Sequence, residues 1–324
     1  MNILVVGGAG YIGSHTAKTL KKAGHIPVVF DNLSTGHRWA VRWGPLVEAD
    51  LADKSAILQA IRDYQIEAVI HFAAHAYVGE SMQYPARYFR NNVANMLNLL
   101  EALHESNIQH MVFSSSCTTY GIPERVPIRE DFPQLAISPY GESKLMGEKM
   151  LKWFGECYGM GWVALRYFNA SGADPEGEIG EVHDPETHLI PLVIDAALGR
   201  RPPVKIFGTD YPTPDGTAIR DYIHVMDLAD AHLRALQYLL EGGQSTAFNL
   251  GTGHGNSVRE VIAAVERVGG CRVPAEAAPR RAGDPPALVA DPSKAHKVLG
   301  WEARYQDINQ VVETAWRFVE SRKR

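Results

Sequence analysis

Apolar residues fall in short runs separated by helical stretches along the first half of the chain. Residues 2–6 form the first run; Gly7, Gly8, Gly10 and Gly13 follow, and His15, Thr16, Ala17 and Leu20 then open a helical pattern. Further apolar runs lie at 26–30, 46–47, 68–72, 110–113 and 162–165, each after a helical stretch. Strands that alternate with helices predict an α/β protein with a doubly wound parallel sheet. From Asn169 the pattern changes to loop-rich sequence, with turn residues at 174–177, 202–203 and 211–216. The expected division is a first domain over 1–168 and a second, smaller one over 169–324, with a ligand cleft between them.

Composition agrees with a folded chain. Hydrophobic residues make up 45% and charged residues 21% of the 324, enough apolar material to offset chain ordering. The 32 basic and 37 acidic side chains leave a charge of -5, which gives no global attraction to nucleic acid or an anionic membrane. The basic residues of 317–324 read as a solvated helix end. No apolar run approaches the roughly 18 residues that span a bilayer, and the apolar start is cut short by glycines, so the expected address is the cytoplasm. Cys117, Cys157 and Cys271 are isolated, which supports neither a disulfide framework nor a zinc finger. No HExxH pair is present, and His71, His75, His183 and His188 are read as lacking acidic or thiol partners, so no metal is expected.

The glycines carry the first chemistry. Gly8-Ala9-Gly10-Tyr11-Ile12-Gly13 fits GxGxxG between a strand and a helix, where glycines permit a tight turn and let backbone approach a pyrophosphate. The helix start offers unpaired N–H groups to the phosphates. The second apolar run ends at Asp31, where a carboxylate can accept from ribose hydroxyls and would repel the extra phosphate of NADP. The expected cofactor is therefore NAD.

Strand ends on the carboxyl edge of such a sheet carry the reactive groups. Residues 111–116 run from an apolar strand into Ser114, Ser115 and Ser116, read as a hydroxyl-rich strand exit. Pro139 suits the first turn of the next helix, on which Tyr140 and Lys144 share a face four positions apart. A phenol with a pKa near 10 is a poor base, but a nearby ammonium and a cationic nicotinamide favour its phenolate. Tyr140 becomes a candidate general acid and base.

With these motifs in place, the chain resembles the extended short-chain dehydrogenase/reductase family, and within it the UDP-sugar 4-epimerases, over nearly its entire length. The most specific matches are residues 5–15, His71-Phe72-Ala73-Ala74, Val78-Gly79-Glu80-Ser81, Leu165-Arg166-Tyr167-Phe168-Asn169 and the run 220–230 beginning Arg220-Asp221-Tyr222. The resemblance implies a Rossmann-type doubly wound parallel sheet with a smaller C-terminal substrate-binding α/β domain, and a return of 221–239 onto the first domain. It implies that Gly7, Gly10, Tyr11, Ile12, Gly13, Asp31, Asn32, Asp50, Leu51, Phe72, Ala73 and Ala74 line the NAD site. Asn91, Ser114, Tyr140, Lys144 and Tyr167 complete that site, and Ser116 orients the sugar beside Tyr140. Asn169, His188, Leu189, Phe207, Arg220, Arg281, Asp284 and Leu288 are implied at the sugar nucleotide, with the guanidinium groups on its diphosphate.

The implied reaction interconverts UDP-glucose and UDP-galactose. Tyr140 removes the proton of the 4-hydroxyl as hydride leaves C4 for NAD, the 4-keto sugar turns its other face, and the hydride returns. A homodimer through helices that include 86–104 and 144–158 is also implied.

Some positions depart from the commonest pattern. His75-Ala76 replaces a frequent Leu-Lys pair, and residues 76–81 and 116–121 are similar to a branch with UDP-xylose/UDP-arabinose 4-epimerases, the main rival substrate. His188 stands where an asparagine is common. Leu288 is intermediate between a crowding tyrosine and a small residue, which leaves UDP-N-acetylglucosamine open as a substrate. A 4,6-dehydratase needs an Asp-Glu pair where this chain has Cys117 and Thr118, and a non-catalytic binding protein would not be expected to keep Tyr140, Lys144 and Ser116.

Overall fold

The structure, a computed structural model, describes residues 1–281 and 283–322; Lys323 and Arg324, the end of the basic tail, lie outside them. β1 (Asn2–Val6) leads into α1 (Tyr11–Lys22), followed by β2 (Ile26–Asp31), β3 (Leu46–Glu48), α2 (Lys54–Asp63) and β4 (Ala68–His71). Next come the short α3 (Val78–Gln83) and α4 (Pro85–Tyr88), then α5 (Asn95–Glu105), β5 (His110–Ser116), α6 (Pro139–Tyr158) and β6 (Gly161–Tyr167). The remaining chain gives β7 (Asn169–Ser171), α7 (Leu189–Ala197), β8 (Val204–Phe207), β9 (Ile219–Arg220), β10 (Tyr222–His224) and α8 (Val225–Leu240). It ends with β11 (Thr246–Leu250), β12 (Asn256–Ser257), α9 (Val258–Gly269), β13 (Ala275–Ala278), β14 (Ala287–Leu288), α10 (Ser293–Leu299) and α11 (Ile308–Ser321).

Seven parallel strands pair in the order β11-β6-β5-β4-β1-β2-β3. This is the doubly wound Rossmann-like order with one added edge strand, and it reverses direction between β1 and β4. Successive side chains of β1 serve opposite faces of the sheet. Leu4 and Val6 pack with Leu99 and Leu103 of α5, whereas Ile3 and Val5 pack with Leu20 of α1 and Leu236 of α8. Burial on both faces explains why the first apolar run is continuous rather than alternating. At the crossover between β1 and β4, the two chains leaving the sheet diverge and open a crevice for a ligand.

β5 is longer than its apolar run. Ser114, Ser115 and Ser116 stay in the ladder, paired with Leu165, Arg166 and Tyr167 of β6, so they are strand residues rather than an exit loop. Their polar side chains are tolerated because each finds a partner, as described below. β11 was absent from the apolar runs read above; its Phe248 and Leu250 are fully buried against α8 and α10. The loop-rich second half contains its own helical core, where Ile190 and Val193 of α7 meet Val261 and Val265 of α9 and Val311 and Val312 of α11.

Candidate active site

The crevice begins with a turn that only glycine can make. Gly7 has φ +78°, and a Cβ there would lie 2.5 Å from the Ala73 nitrogen. A Cβ on Gly13 would lie 2.3 Å from the Gly7 carbonyl oxygen, so this glycine lets α1 close onto the turn. Gly10 caps α1 without any side-chain bond, and the first turn holds no acidic residue, which leaves backbone N–H groups directed at the crevice. Asp31, at the end of β2, accepts from the Ala9 N–H at 2.9 Å and the Leu33 N–H at 2.8 Å. Burial holds its carboxyl above the usual range, and lone pairs remain for hydroxyl donors. Anion-binding N–H groups beside a buried carboxylate fit a dinucleotide's pyrophosphate and ribose.

Other residues expected at this site gather round it. Asn32 donates to Asp50 at 2.7 Å, Leu51 is buried behind them, and Ala73 touches the Gly7 turn. Phe72 packs on the His232 ring at 4.6 Å. The Tyr11 hydroxyl is turned to the Gly172 carbonyl at 2.6 Å, which ties the glycine turn to the segment after β7.

α6 begins at Ser138, whose hydroxyl accepts from the Gly141 N–H at 3.1 Å, with Pro139 in the first turn. The helix presents Tyr140 to the end of β5, where the nearby Ser116 hydroxyl favours the phenolate. Ser116 also accepts from the Thr118 N–H at 3.2 Å and from the Thr118 hydroxyl at 3.0 Å. Burial pushes the Tyr140 phenol well above its ordinary value, and neighbouring Tyr167 adds to the effect. Lys144 lies one turn further on, and its Nζ donates to the Ser114 carbonyl at 2.7 Å. Burial brings this lysine down to about 7, although Glu148 opposes the shift. The Ser114 hydroxyl meets the Tyr167 hydroxyl.

Arg220 bridges this group to the second half of the chain. Its charge is felt by the Cys117 thiol, the neighbour of Ser116, and its guanidinium pairs with Asp284. Leu288 lies opposite Arg220 in the β14–β9 pairing. The Arg281 guanidinium sits 4.1 Å from the centre of the Phe207 ring. Asn169 starts β7 beside β10, while His188 caps α7 and Leu189 is its first residue.

Asn91 donates to the side chain of its neighbour Asn92 at 3.0 Å. It is buried Asn92, not singled out from the sequence, that braces the site. Asn92 exchanges hydrogen bonds with the His75 backbone at 2.9 and 3.0 Å and donates to Ser143 at 3.0 Å; Ser143 in turn donates to the Tyr140 carbonyl at 2.7 Å. A second missed pair, Glu148 and Arg166, is buried behind β5: Arg166 Nε and a terminal nitrogen donate to Glu148 at 2.9 and 2.6 Å, and Ser115 donates to it at 2.5 Å. The reading that His183 and His188 lack acidic partners is corrected, because Glu181 and Glu186 stand beside both rings. Against the opposing effect of burial, these carboxylates hold His183 up at about 9 and also raise His188. The group forms on an irregular segment, where no helical ligand spacing marks it.

The sequence matches the NAD dependent epimerase/dehydratase family over residues 3–251. UDP-glucose 4-epimerase of Rhizobium meliloti is 53% identical over 97% of this chain and 96% of its own. A crystal structure of UDP-glucose 4-epimerase from Brucella ovis in complex with NAD is 54% identical, with a TM-score of 0.96 over 98% of both chains. UDP-glucose-4-epimerase from Stenotrophomonas maltophila, solved with NAD and formylated UDP-arabinopyranose, is 40% identical, with a TM-score of 0.96 over 100% of both chains. A shared sequence across the crevice and a superimposable sheet lead to one conclusion: the chain belongs to the NAD dependent epimerase/dehydratase family.

Proposed function

We propose that this protein is a NAD-dependent UDP-sugar 4-epimerase that interconverts UDP-glucose and UDP-galactose through a transient 4-keto sugar. The observation that carries the reading is the group at the end of β5: Tyr140 and Lys144 lie one turn apart on α6, and Lys144 Nζ is fixed 2.7 Å from the Ser114 carbonyl, two residues before Ser116. Bound NAD supplies a hydride acceptor that returns what it takes, so the reaction has no net redox change. The glycine turn and the start of α1 hold the pyrophosphate, and Asp31 takes the ribose hydroxyls. Asn32, Asp50, Leu51, Phe72, Ala73, Ala74, Asn91, Ser114 and Tyr167 line the remaining cofactor surface.

Tyr140 takes the proton of the 4-hydroxyl at its phenol oxygen and returns it when the sugar presents its other face. Ser116 keeps the sugar oxygen within reach. Burial opposes the phenolate, and Lys144, fixed on the Ser114 carbonyl one turn away, offsets that cost when it carries its proton. Arg220 and Arg281 anchor the diphosphate, with Asn169, His188, Leu189, Phe207 and Asp284 around the nucleotide. Burial pushes the Cys117 thiol up to about 12, so neither it nor Thr118 provides the acid or base of an elimination. Incubation with UDP-galactose and NAD is expected to yield UDP-glucose without accumulating NADH; no conversion of either sugar refutes the reading.

Asp31 also fixes cofactor choice. The carboxylate would face the additional phosphate of NADP, and such like-charge contacts cost several kcal/mol. Calorimetric titration is expected to show NAD binding at least about tenfold more tightly than NADP, and equal affinities would remove this role. Leu288 sets the tolerance at the sugar 2-position. The larger side chain of Leu288→Tyr is expected to lower kcat/KM for UDP-N-acetylglucosamine by about tenfold relative to UDP-galactose. Parallel assays that show equal loss on both substrates would place Leu288 elsewhere.

The working division assigns 1–168 with 221–239 to the cofactor and 169–324 to the sugar nucleotide. It is supported by α8, which packs along α1 and under β5 and β6. The protein acts as a homodimer through residues 86–104 and 144–158, where Phe89, Val93 and Ala94 just before α5, Leu97 of α5, and Met146 and Met150 of α6 line an open apolar hollow. Sedimentation equilibrium is expected to give twice the chain mass, shifted toward one chain by Leu97→Glu; a monomeric parent protein would exclude this assembly. No described helix is long and apolar enough to cross a membrane, and we place the enzyme in the cytoplasm with its nucleotide substrates.

A further inference from the structure

Between β7 and α7 the chain brings Glu181, His183, Glu186 and His188 together, with one ligand atom from each within 4.8 Å of all the others. His183 Nδ1 lies 3.4 Å from Glu181 and 3.5 Å from Glu186, and His188 Nδ1 lies 3.0 Å from Glu181 and 2.8 Å from Glu186. A tetrahedral ion with nitrogen and oxygen ligands at about 2.0–2.1 Å separates those ligands from each other by roughly 3.3 Å. The observed nitrogen–oxygen spacings lie on either side of that value, with Glu186 turning Oε1 to His188 and Oε2 to His183. Independently, His183 Nδ1 is buried and makes no hydrogen bond, although it faces two carboxylates. Its neighbours are too far and too poorly aligned for pairwise bonding, but they suit a shared centre.

A second acidic group among the described residues behaves differently. Asp174, Glu176 and Glu178 surround the Lys18 ammonium at 2.7, 2.8 and 2.7 Å, so a cation already occupies their centre. Among the described ion pairs, Glu181 and Glu186 meet no lysine or arginine. Two imidazoles and two carboxylates form a donor set suited to a borderline divalent ion such as Zn²⁺, with the carboxylates neutralising its charge.

We propose that Glu181, His183, Glu186 and His188 form a binding site for one divalent transition-metal ion, of the zinc class. All four ligands come from the protein, as in closed structural sites rather than catalytic ones that keep an open position. The site adjoins the glycine turn: the His183 ring is 6.4 Å from the Tyr11 ring and 6.2 Å from the Tyr77 ring. A metal here pins the segment that leads into α7 against the start of α1. His188 is shared with the residues placed around the nucleotide, so the test reads metal binding alone and uses no turnover.

The full chain, freed of any affinity tag and treated with a chelator, is titrated with Co²⁺. The expected result is one equivalent bound with the intense visible bands of four-coordinate cobalt, displaced stoichiometrically by Zn²⁺. The double variant Glu181→Gln/His183→Gln should lose those bands while its far-ultraviolet circular dichroism stays that of the parent. If the double variant does not fold, His183→Asn alone is compared in its place. Weak six-coordinate spectra from the parent protein, or bands that persist in the folded variant, overturn the proposal.

Discussion

Tyr140→Phe is expected to lower kcat for UDP-galactose by roughly 10² to 10⁴, the usual range for a positioned acid–base group. NAD affinity should stay near that of the parent protein, because the phenyl ring still fills the space beside β5 and only the hydroxyl is removed. The partner left behind is Ser116, which keeps its bonds from Thr118 at 3.2 and 3.0 Å, so little rearrangement follows. Steady-state assays combined with a cofactor titration separate the outcomes. Turnover within a factor of a few of the parent would remove Tyr140 from the chemistry, whereas lost NAD binding would make it a structural residue.

Glu148→Ala is expected to produce the largest loss of stability. Glu148 and Arg166 are each 6% exposed, and the alanine variant leaves a guanidinium buried without its carboxylate. Breaking one side of such a pair costs about 3–5 kcal/mol. The carboxylate also receives Ser115 at 2.5 Å and Gln134 at 3.2 Å, and Arg166 continues to the Tyr120 hydroxyl at 2.8 Å, so the loss extends across β5, β6 and α6. Because α6 also carries Tyr140 and Lys144, activity should fall together with the thermal midpoint. The double variant Glu148→Met/Arg166→Met replaces both charges by apolar groups and should recover much of the midpoint. A double variant no more stable than Glu148→Ala would show that the pair acts through something other than charge burial.

The parts of the fold most legible in the sequence are those set by local requirements. Gly7 and Gly13 are fixed by a positive φ and a close backbone approach, and both needs are visible as spaced glycines between a strand and a helix. Helical spacing marks Tyr140 and Lys144, and a place at a strand end marks Asp31. What stayed hidden depends on distant partners. The serines of β5 look like a loop until Leu165–Tyr167 pair with them, and β11 becomes a strand only beside β6. Glu148 and Arg166 are ordinary charges in the sequence, and their burial follows from the packing of α6 on β6. Asn92 is hidden for the same reason: its value lies in the His75 backbone and Ser143, brought near by the fold. The acidic neighbours of His183 are close in sequence, but their convergence required the shape of an irregular segment.

The most direct test of the account is the fate of hydrogen at C4. UDP-galactose carrying deuterium at that carbon is converted in ordinary water, and the UDP-glucose formed is examined by mass spectrometry and proton NMR. The account predicts deuterium retained at C4, because the hydride leaves and returns within one closed site. Deuterium lost to solvent, or a product lighter by one water, would contradict it.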